Sequence, residues 1–554
     1  MSDGDGTPGQ DGTTRRKLLG TAAAGAAAAS PIGKALAAMP RRGQGRSVEG
    51  MNLVIFMTDQ ERAIQHFPPD WSRRHLPGMT RLQDTGVTFS NAVTNACMCT
   101  PARTTWMTGL YPAQHGCKWT LETDMADDQY PQMELETSFA NIATVMLAAG
   151  YNVIYKGKFH CTKGSGPNGK YVPHDVNKYG FNRWDPQDAG ANQDISEAGG
   201  GSTDNDGRFI NDDGPVVLGE EGVLDYINSQ AAADAPFCLV VSLVNPHDVL
   251  FYPKNYAAAG YDDSWLKGSV EPPETVGEDL STKPTVQEQF LRIFNLTGKP
   301  KGFRQQKEYL NYYANLMRSS DEYLVQVLDA LDSNGLTDDT LVVRTADHGE
   351  MGLAHGGLRQ KNFNFYEEAL NIPLVYSNPK LFEGPISNDH LVSHVDFVPT
   401  IAQLFRSHYA GREGWRGTSY ARSVLDPDGA RPPQDHTVFT YDDYQSGQSS
   451  PPYPGPPNHV VAVREKRWKL ARYYDIEGQA EPQYEMYDRK NDPLETNNLA
   501  FKPNKMTASQ KQQFKRLKKK LQRIENNALQ PLPETPQPET PPSNAGTIGS
   551  GGSL

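Results

Sequence analysis

The string Cys99-Thr100-Pro101-Ala102-Arg103, followed by Thr108-Gly109, sets a thiol four residues ahead of a guanidinium. Pro101 suits the first turn of a helix, because it has no N–H to leave unpaired and its φ is preset. Thr100 is a residue that caps such a start. Position 99 would then stand at a helix N-terminus, where free N–H groups and the macrodipole favour an anion. Arg103 is close enough to reach back toward it. A second group of donors is hard in character: Asp59, Gln60, Asp347 and His348 offer carboxylate and amide oxygens and one imidazole. That set suits a divalent cation, calcium foremost, with manganese or magnesium as alternatives.

These residues need a scaffold that brings them together. Asn52–Met57, Asn152–Tyr155, Phe237–Val244 and Thr340–Thr345 are apolar runs of strand length. Helical patterns lie between them, at Phe139–Leu147 and Tyr309–Leu331. The alternation predicts an α/β fold with a large, mostly parallel sheet flanked by helices. Each run is followed within a few residues by chemically capable groups: Asp59-Gln60, Lys158 with His160, His247, and Asp347-His348. Sites in open α/β sheets form outside the carboxyl ends of the strands, so the four ends can converge.

The spacing also predicts a smaller C-terminal α+β region at 435–527. Val460–Arg464, Trp468–Arg472 and Tyr484–Asp488 read as short antiparallel strands, and Gln510–Glu525 as a helix. That helix lines up Phe514, Leu517, Leu521 and Ile524 on one face and seven lysines and arginines on the other. The catalytic region is expected at 51–434, after a linker at 38–50. Residues 528–554 are Pro-, Thr- and Gly-rich, the composition of a disordered tail. At the other end, Arg15-Arg16-Lys17-Leu18-Leu19, an Ala-rich stretch and Ala35-Leu36-Ala37 resemble a twin-arginine signal peptide covering 1–37. A periplasmic or secreted bacterial protein is expected, carried by the twin-arginine translocase, without stable membrane insertion.

Composition narrows the function classes. A net charge of -12 gives no electrostatic reason to bind nucleic acid. Five cysteines in 554 residues are too few for a disulfide scaffold, and their pairing is open.

The Cys-x-Pro-x-Arg string with its downstream Thr-Gly resembles the signature of the type I sulfatases of the alkaline phosphatase superfamily. Further elements match in order. These are Gly157-Lys158-Phe159-His160, Pro246-His247, Asp347-His348, Lys361, Tyr366-Glu367-Glu368, Asp396, and Tyr487-Asp488 through Asn498. The resemblance covers roughly residues 51–500. It implies hydrolysis of sulfate monoesters, on small molecules or carbohydrates. It also implies that Cys99 is oxidised to formylglycine by a formylglycine-generating enzyme, and that one divalent metal is held by Asp59, Gln60, residue 99, Asp347 and His348. In the mechanism it implies, the hydrated aldehyde attacks sulfur, with Arg103 and Lys158 holding the diol and Asp347 helping to activate it. Lys361 and His247 hold the sulfate and protonate the leaving group, and His160 drives release. Two positions depart from the family pattern: Gln60 stands where a second acid is common, and His348 where Asn is common. They are similar to substitutions in the superfamily's phosphonate monoester and phosphate diester hydrolases, which form one alternative reading. A non-catalytic sulfoglycan-binding protein with unmodified Cys99 forms another.

Overall fold

The computed structural model describes residues 46–532, apart from 64–65, 123–129, 192–193, 212–220, 230–231, 233–234, 297 and 449, together with 547–548. The leader, its cleavage site and most of the linker lie outside the described residues.

Seven strands form the main sheet: β1 (Asn52–Asp59), β2 (Gly86–Val93), β3 (Asn152–Gly157), β4 (Phe237–Pro246), β5 (Thr340–Ala346), β6 (Leu374–Ser377) and β7 (Ile386–Ser393). Their order is β3-β4-β1-β5-β6-β2-β7. Only β6 runs against its neighbours; β3, β4, β1 and β5 are parallel, as are β2 and β7. The four apolar runs read from the sequence are the four strands of the parallel half. β2, β6 and β7 were not anticipated: β2 and β7 carry polar residues within them, and β6 is only four residues long.

β1 is buried along its whole length, and its side chains alternate between two cores. Leu53, Ile55 and Met57 face a cluster with Trp106, Ile142 and Val398. Val54 and Phe56 face another with Met79, Tyr309 and Leu324. The second core is covered by the long helix Gly302–Ser333, which starts well before the predicted Tyr309 and ends close to the predicted Leu331. Helices on both faces make a three-layer sandwich. The shared direction of β3, β4, β1 and β5 puts Gly157, Pro246, Asp59 and Ala346 at one edge.

A separate antiparallel sheet joins β8 (Thr437–Tyr441), β10 (His459–Arg464), β11 (Trp468–Tyr474) and β12 (Gln483–Asp488) in the order β12-β11-β10-β8. The helix Ala508–Asn527 lays Leu517, Leu521 and Ile524 on it, and Thr507 and Gln510 close its first turn as a capping box. Part of its basic face is answered internally: Arg516 and Lys520 pair with Glu465 at 2.6 Å, and Lys518 stands 4.5 Å over the Tyr484 ring. β9 (Tyr453–Pro454) pairs in parallel with β13 (Thr547–Ile548), so the tail contributes two paired residues where none was expected. The five cysteines are buried and unpaired. Among the described residues no helix is long and apolar enough to cross a membrane.

Candidate active site

Cys99 is the first residue of the helix Cys99–Thr108, and Met98 precedes it in extended geometry. Pro101 is third in the helix, within the first turn as expected, but the cap position falls to Met98 and not to Thr100. The Thr100 hydroxyl instead donates to the His160 carbonyl at 2.8 Å and accepts from the Leu121 amide at 2.9 Å. That pair of bonds ties the helix start to the two loops that surround it. Every residue of the helix is buried. Burial, with the charge of Asp59 next, pushes the Cys99 thiol up to about 12.

Asp59, at the end of β1, and Asp347, just past β5, are fully buried beside it. Two carboxylates here need compensation, and Arg103 and Lys158 supply it. Arg103 donates from Nε to Asp347 Oδ2 at 2.9 Å and from one terminal nitrogen to Asp59 Oδ2 at 3.1 Å. Its other nitrogen donates to the Lys158 carbonyl and to Ser242 Oγ, both at 2.9 Å. Lys158 Nζ lies 2.6 Å from Asp59 Oδ2. Burial works against the charge of Asp59, but Lys158 and then Arg103 hold its carboxyl well below the usual range. Asp347 is pushed up to about 7, by burial and then by Asp59. Both cations are spent on Oδ2 atoms. Asp59 Oδ1 is left 3.5 Å from Cys99 Sγ. Asp347 Oδ1 accepts the backbone amides of Gln60 and His348.

His348 completes this group. Its Nδ1 lies 3.1 Å from the Gly349 carbonyl, which can only accept, so the proton belongs on Nδ1 and Nε2 turns its lone pair toward Cys99 Sγ. Nε2 is 3.2 Å from Cys99 Sγ and 3.7 Å from the Oδ1 atoms of both aspartates. One donor atom each from Asp59, Cys99, Asp347 and His348 falls within 4.8 Å of the others. Two carboxylate oxygens and an unprotonated imidazole nitrogen fit a divalent cation. Gln60 is arranged differently from the expectation. Its Oε1 accepts from Lys361 Nζ at 2.7 Å and its Nε2 donates to Glu350 Oε2 at 2.7 Å. The amide thus anchors Lys361 to the end of β1.

The remaining predicted residues surround the group. His160 sits at φ 54, in a turn pinned by Asp188, which accepts the amides of Phe159 and His160. Its Nε2 donates to the Leu121 carbonyl at 2.5 Å, which leaves Nδ1 buried with no partner among the described residues. Burial, then Lys158, depresses this imidazole well below its ordinary value. His247 follows the cis Asn245–Pro246 bond at the end of β4 and is depressed in the same way by the same two causes. His247, Lys361 and Cys99 line one pocket of about 300 Å³ with Thr120, Glu122, Phe290 and Phe294.

All the predicted site residues therefore meet at one sheet edge. Several supporting residues were missed. Ser242 interrupts an apolar strand and Glu350 follows Asp347-His348-Gly349 directly; those two left a signal. Glu122, Asp188, Phe290 and Phe294 lie in loops or on an amphipathic helix and left none. Trp106 packs 5.2 Å from Phe397 in the core, while Ser446, Gly447 and Gln448, from the loop before β9, line the pocket.

The comparisons agree with this geometry. The sulfatase family model matches residues 51–407, and the model of the C-terminal region of N-sulphoglucosamine sulphohydrolase matches residues 355–527. An ulvan-active sulfatase of Formosa agariphila is 26% identical over 455 residues, covering 82% of this chain and 77% of its own. The solved structure of BT1596, a 2-O GAG sulfatase, aligns with a TM-score of 0.66 at 20% identity, over 87% of this chain and 93% of its own. The phosphonate monoester hydrolase of Agrobacterium radiobacter aligns with a TM-score of 0.59 at 19% identity, over 86% and 96%. With a family model spanning well over half of its length and this arrangement at its sheet edge, the chain belongs to the sulfatase family of the alkaline phosphatase superfamily, enzymes that hydrolyse sulfate esters.

Proposed function

We propose that the enzyme cleaves sulfate monoesters of carbohydrates or small alcohols and phenols, with residue 99, oxidised to formylglycine, as nucleophile. The observation that carries this reading is the convergence of Cys99 Sγ with Asp59, Asp347 and His348 within 4.8 Å, on the wall of a pocket. A plain thiol suits this place poorly. Held up to about 12 by burial and Asp59, it stays protonated at neutral pH, and the thiol form is a weak nucleophile.

Asp59, Asp347, His348 and residue 99 are the ligands we propose for one divalent cation, calcium, manganese or magnesium. Gln60 is left out because its oxygen serves Lys361. A cation there supplies Lewis acidity toward an anionic ester oxygen. The chain's own residues do the rest. Arg103 and Lys158 fix the two carboxylates so that one oxygen of each faces residue 99. Lys361 and His247 meet the sulfate oxygens from the pocket side, and one of them donates the proton to the departing oxygen. His160 is held by Leu121 with its Nδ1 lone pair free, the state a base requires. The oxidation at residue 99 requires a formylglycine-generating enzyme. Arg15 and Arg16 support export by the twin-arginine route, which moves a folded, already oxidised enzyme.

Gln60 and the shared fold with a phosphonate monoester hydrolase favour one second reading, cleavage of phosphonate monoesters or phosphate diesters. A panel of sulfate monoesters, phosphate diesters and phosphonate monoesters separates the two. The expected result is highest kcat/KM on a sulfate ester, and a mass about 18 Da lower than encoded on the peptide carrying residue 99. A plain thiol with full turnover would refute the nucleophile. A phosphate diester turned over fastest would refute the substrate class.

A further inference from the structure

The pocket beside Cys99 has two unlike walls. One is apolar, made of Leu250, Phe290, Ile293 and Phe294; the other is polar, made of Thr120, Glu122, Ser446, Gly447 and Gln448. One face of Phe294 is taken by the Arg359 guanidinium, 4.4 Å from its centre, and Arg359 is itself held by the Gly298 carbonyl at 2.8 Å. Phe290, Ile293 and Leu250 supply the rest of the apolar wall.

Glu122 is the anomaly. It is only 8% exposed, and what shows faces this pocket. Its backbone amide donates to Gln132 Oε1, but among the described residues no donor or cation pairs with its carboxylate. A carboxylate this deep is costly without a partner. Gly447 closes over it: a Cβ there would stand 2.6 Å from Glu122 Oε1. Asp443 lies behind, its carboxylate accepting from Tyr130 at 2.5 Å and from the Ser446 amide at 2.8 Å. Burial, then Asp443 and Glu197, push the Glu122 carboxyl well above the usual range against the opposing pull of Lys158 and Lys361, so by itself it favours the neutral acid. Lys158 is paired with Asp59, whereas Lys361 is held by the neutral Gln60 amide and keeps its charge for the sulfate. Glu122 thus lacks a counter-charge that a ligand can bring, in a pocket that also carries apolar side chains.

We infer that Glu122 selects the leaving group by charge, receiving a cationic nitrogen carried on an apolar or carbohydrate body: an ammonio-aryl, aminoalkyl or amino-sugar sulfate. This deepens the sulfatase reading and rests on it. The cation supplies the counter-charge that Glu122 lacks, while the apolar body packs on Phe290 and Ile293. A leaving group bearing a carboxylate brings no such counter-charge.

The test compares kcat/KM for matched esters on wild type, Glu122→Gln and Glu122→Asp. One set is 3-(trimethylammonio)phenyl, phenyl and 3-carboxyphenyl sulfate. The other is glucosamine 6-sulfate against N-acetylglucosamine 6-sulfate. The two sets distinguish an aryl from a sugar carrier. The readout is the ratio of cationic to neutral ester within a set, which a loss of folded enzyme leaves unmoved. For Glu122→Gln that ratio is expected to fall about 10- to 100-fold in at least one set, the size of a charged contact. The ratio of anionic to neutral ester should move far less, and Glu122→Asp should keep part of the preference for the cation. Equal factors on all esters, or no change, would overturn the assignment to Glu122. Failure of wild type to cleave any sulfate ester, with the aldehyde present at residue 99, would overturn the sulfatase reading instead.

Discussion

His355 offers the sharpest test of how the loop carrying Lys361 is held. It follows Leu353 in a tight turn, itself at φ 49, five residues before Gln360. Its Nδ1 lies 2.6 Å from Glu278 Oε2, its Nε2 3.7 Å from Glu368 Oε2, and its ring stacks 3.6 Å from the Tyr366 ring. It is fully buried. Burial opposes its charge, but the hydrogen bond to Glu278 and the nearby Glu368 carboxylate prevail and raise it from 6.5 to about 9. A group held above its unfolded value contributes all of its stabilisation below about pH 6.5 and loses it as pH rises through about 9. At about 1.4 kcal/mol per pH unit this amounts to about 3 kcal/mol. The perturbation is His355→Gln, which keeps the size and one hydrogen bond but cannot take the charge. Urea unfolding of both proteins from pH 6 to pH 10 gives the stability gap at each pH. The gap is expected to be largest at pH 6 and to shrink by about 3 kcal/mol by pH 10. A constant gap would refute the reasoning, because it would mean that His355 is neutral in the fold. Release of this turn should also raise KM through Lys361 at pH 7.

Four other outcomes follow from the site. Cys99→Ala should abolish turnover at a cost of about 1 kcal/mol in stability, since it deletes one buried sulfur; melting and sulfate release measure the two. Arg103→Lys should lose about 100-fold or more in kcat and about 3 kcal/mol of stability, because one ammonium cannot reach the four acceptors the guanidinium serves. A wild-type rate would show that Arg103 is not needed to orient the carboxylates. Dialysis against a chelator should abolish turnover, with recovery on adding calcium, manganese or magnesium. Asp59→Asn should shift the cation concentration needed for half-recovery upward by about tenfold or more, and unchanged titrations would exclude Asp59 as a ligand.

Much of this site is legible in the chain because strands of a parallel sheet are buried on both faces and so announce themselves as apolar runs. Their ends are where polar chemistry can appear, which is why Asp59, Lys158, His160, His247, Asp347 and His348 could be gathered from the sequence. Cys99 and Arg103 were legible for another reason, a fixed spacing on one helix. Three things were decided only by the tertiary structure. The first is the use of each oxygen: Arg103 and Lys158 take the Oδ2 atoms and leave one oxygen of each carboxylate near residue 99, a division no spacing encodes. The second is the pairing of Gln60 with Lys361, two residues 301 apart that meet because β1 ends beside the loop after β5. The third is the pocket's outer half. Glu122, Phe290 and Gly447 come from three separate segments whose local sequence carries no chemical signature. Side chains that act through the company they keep acquire their roles only when the fold has chosen their neighbours.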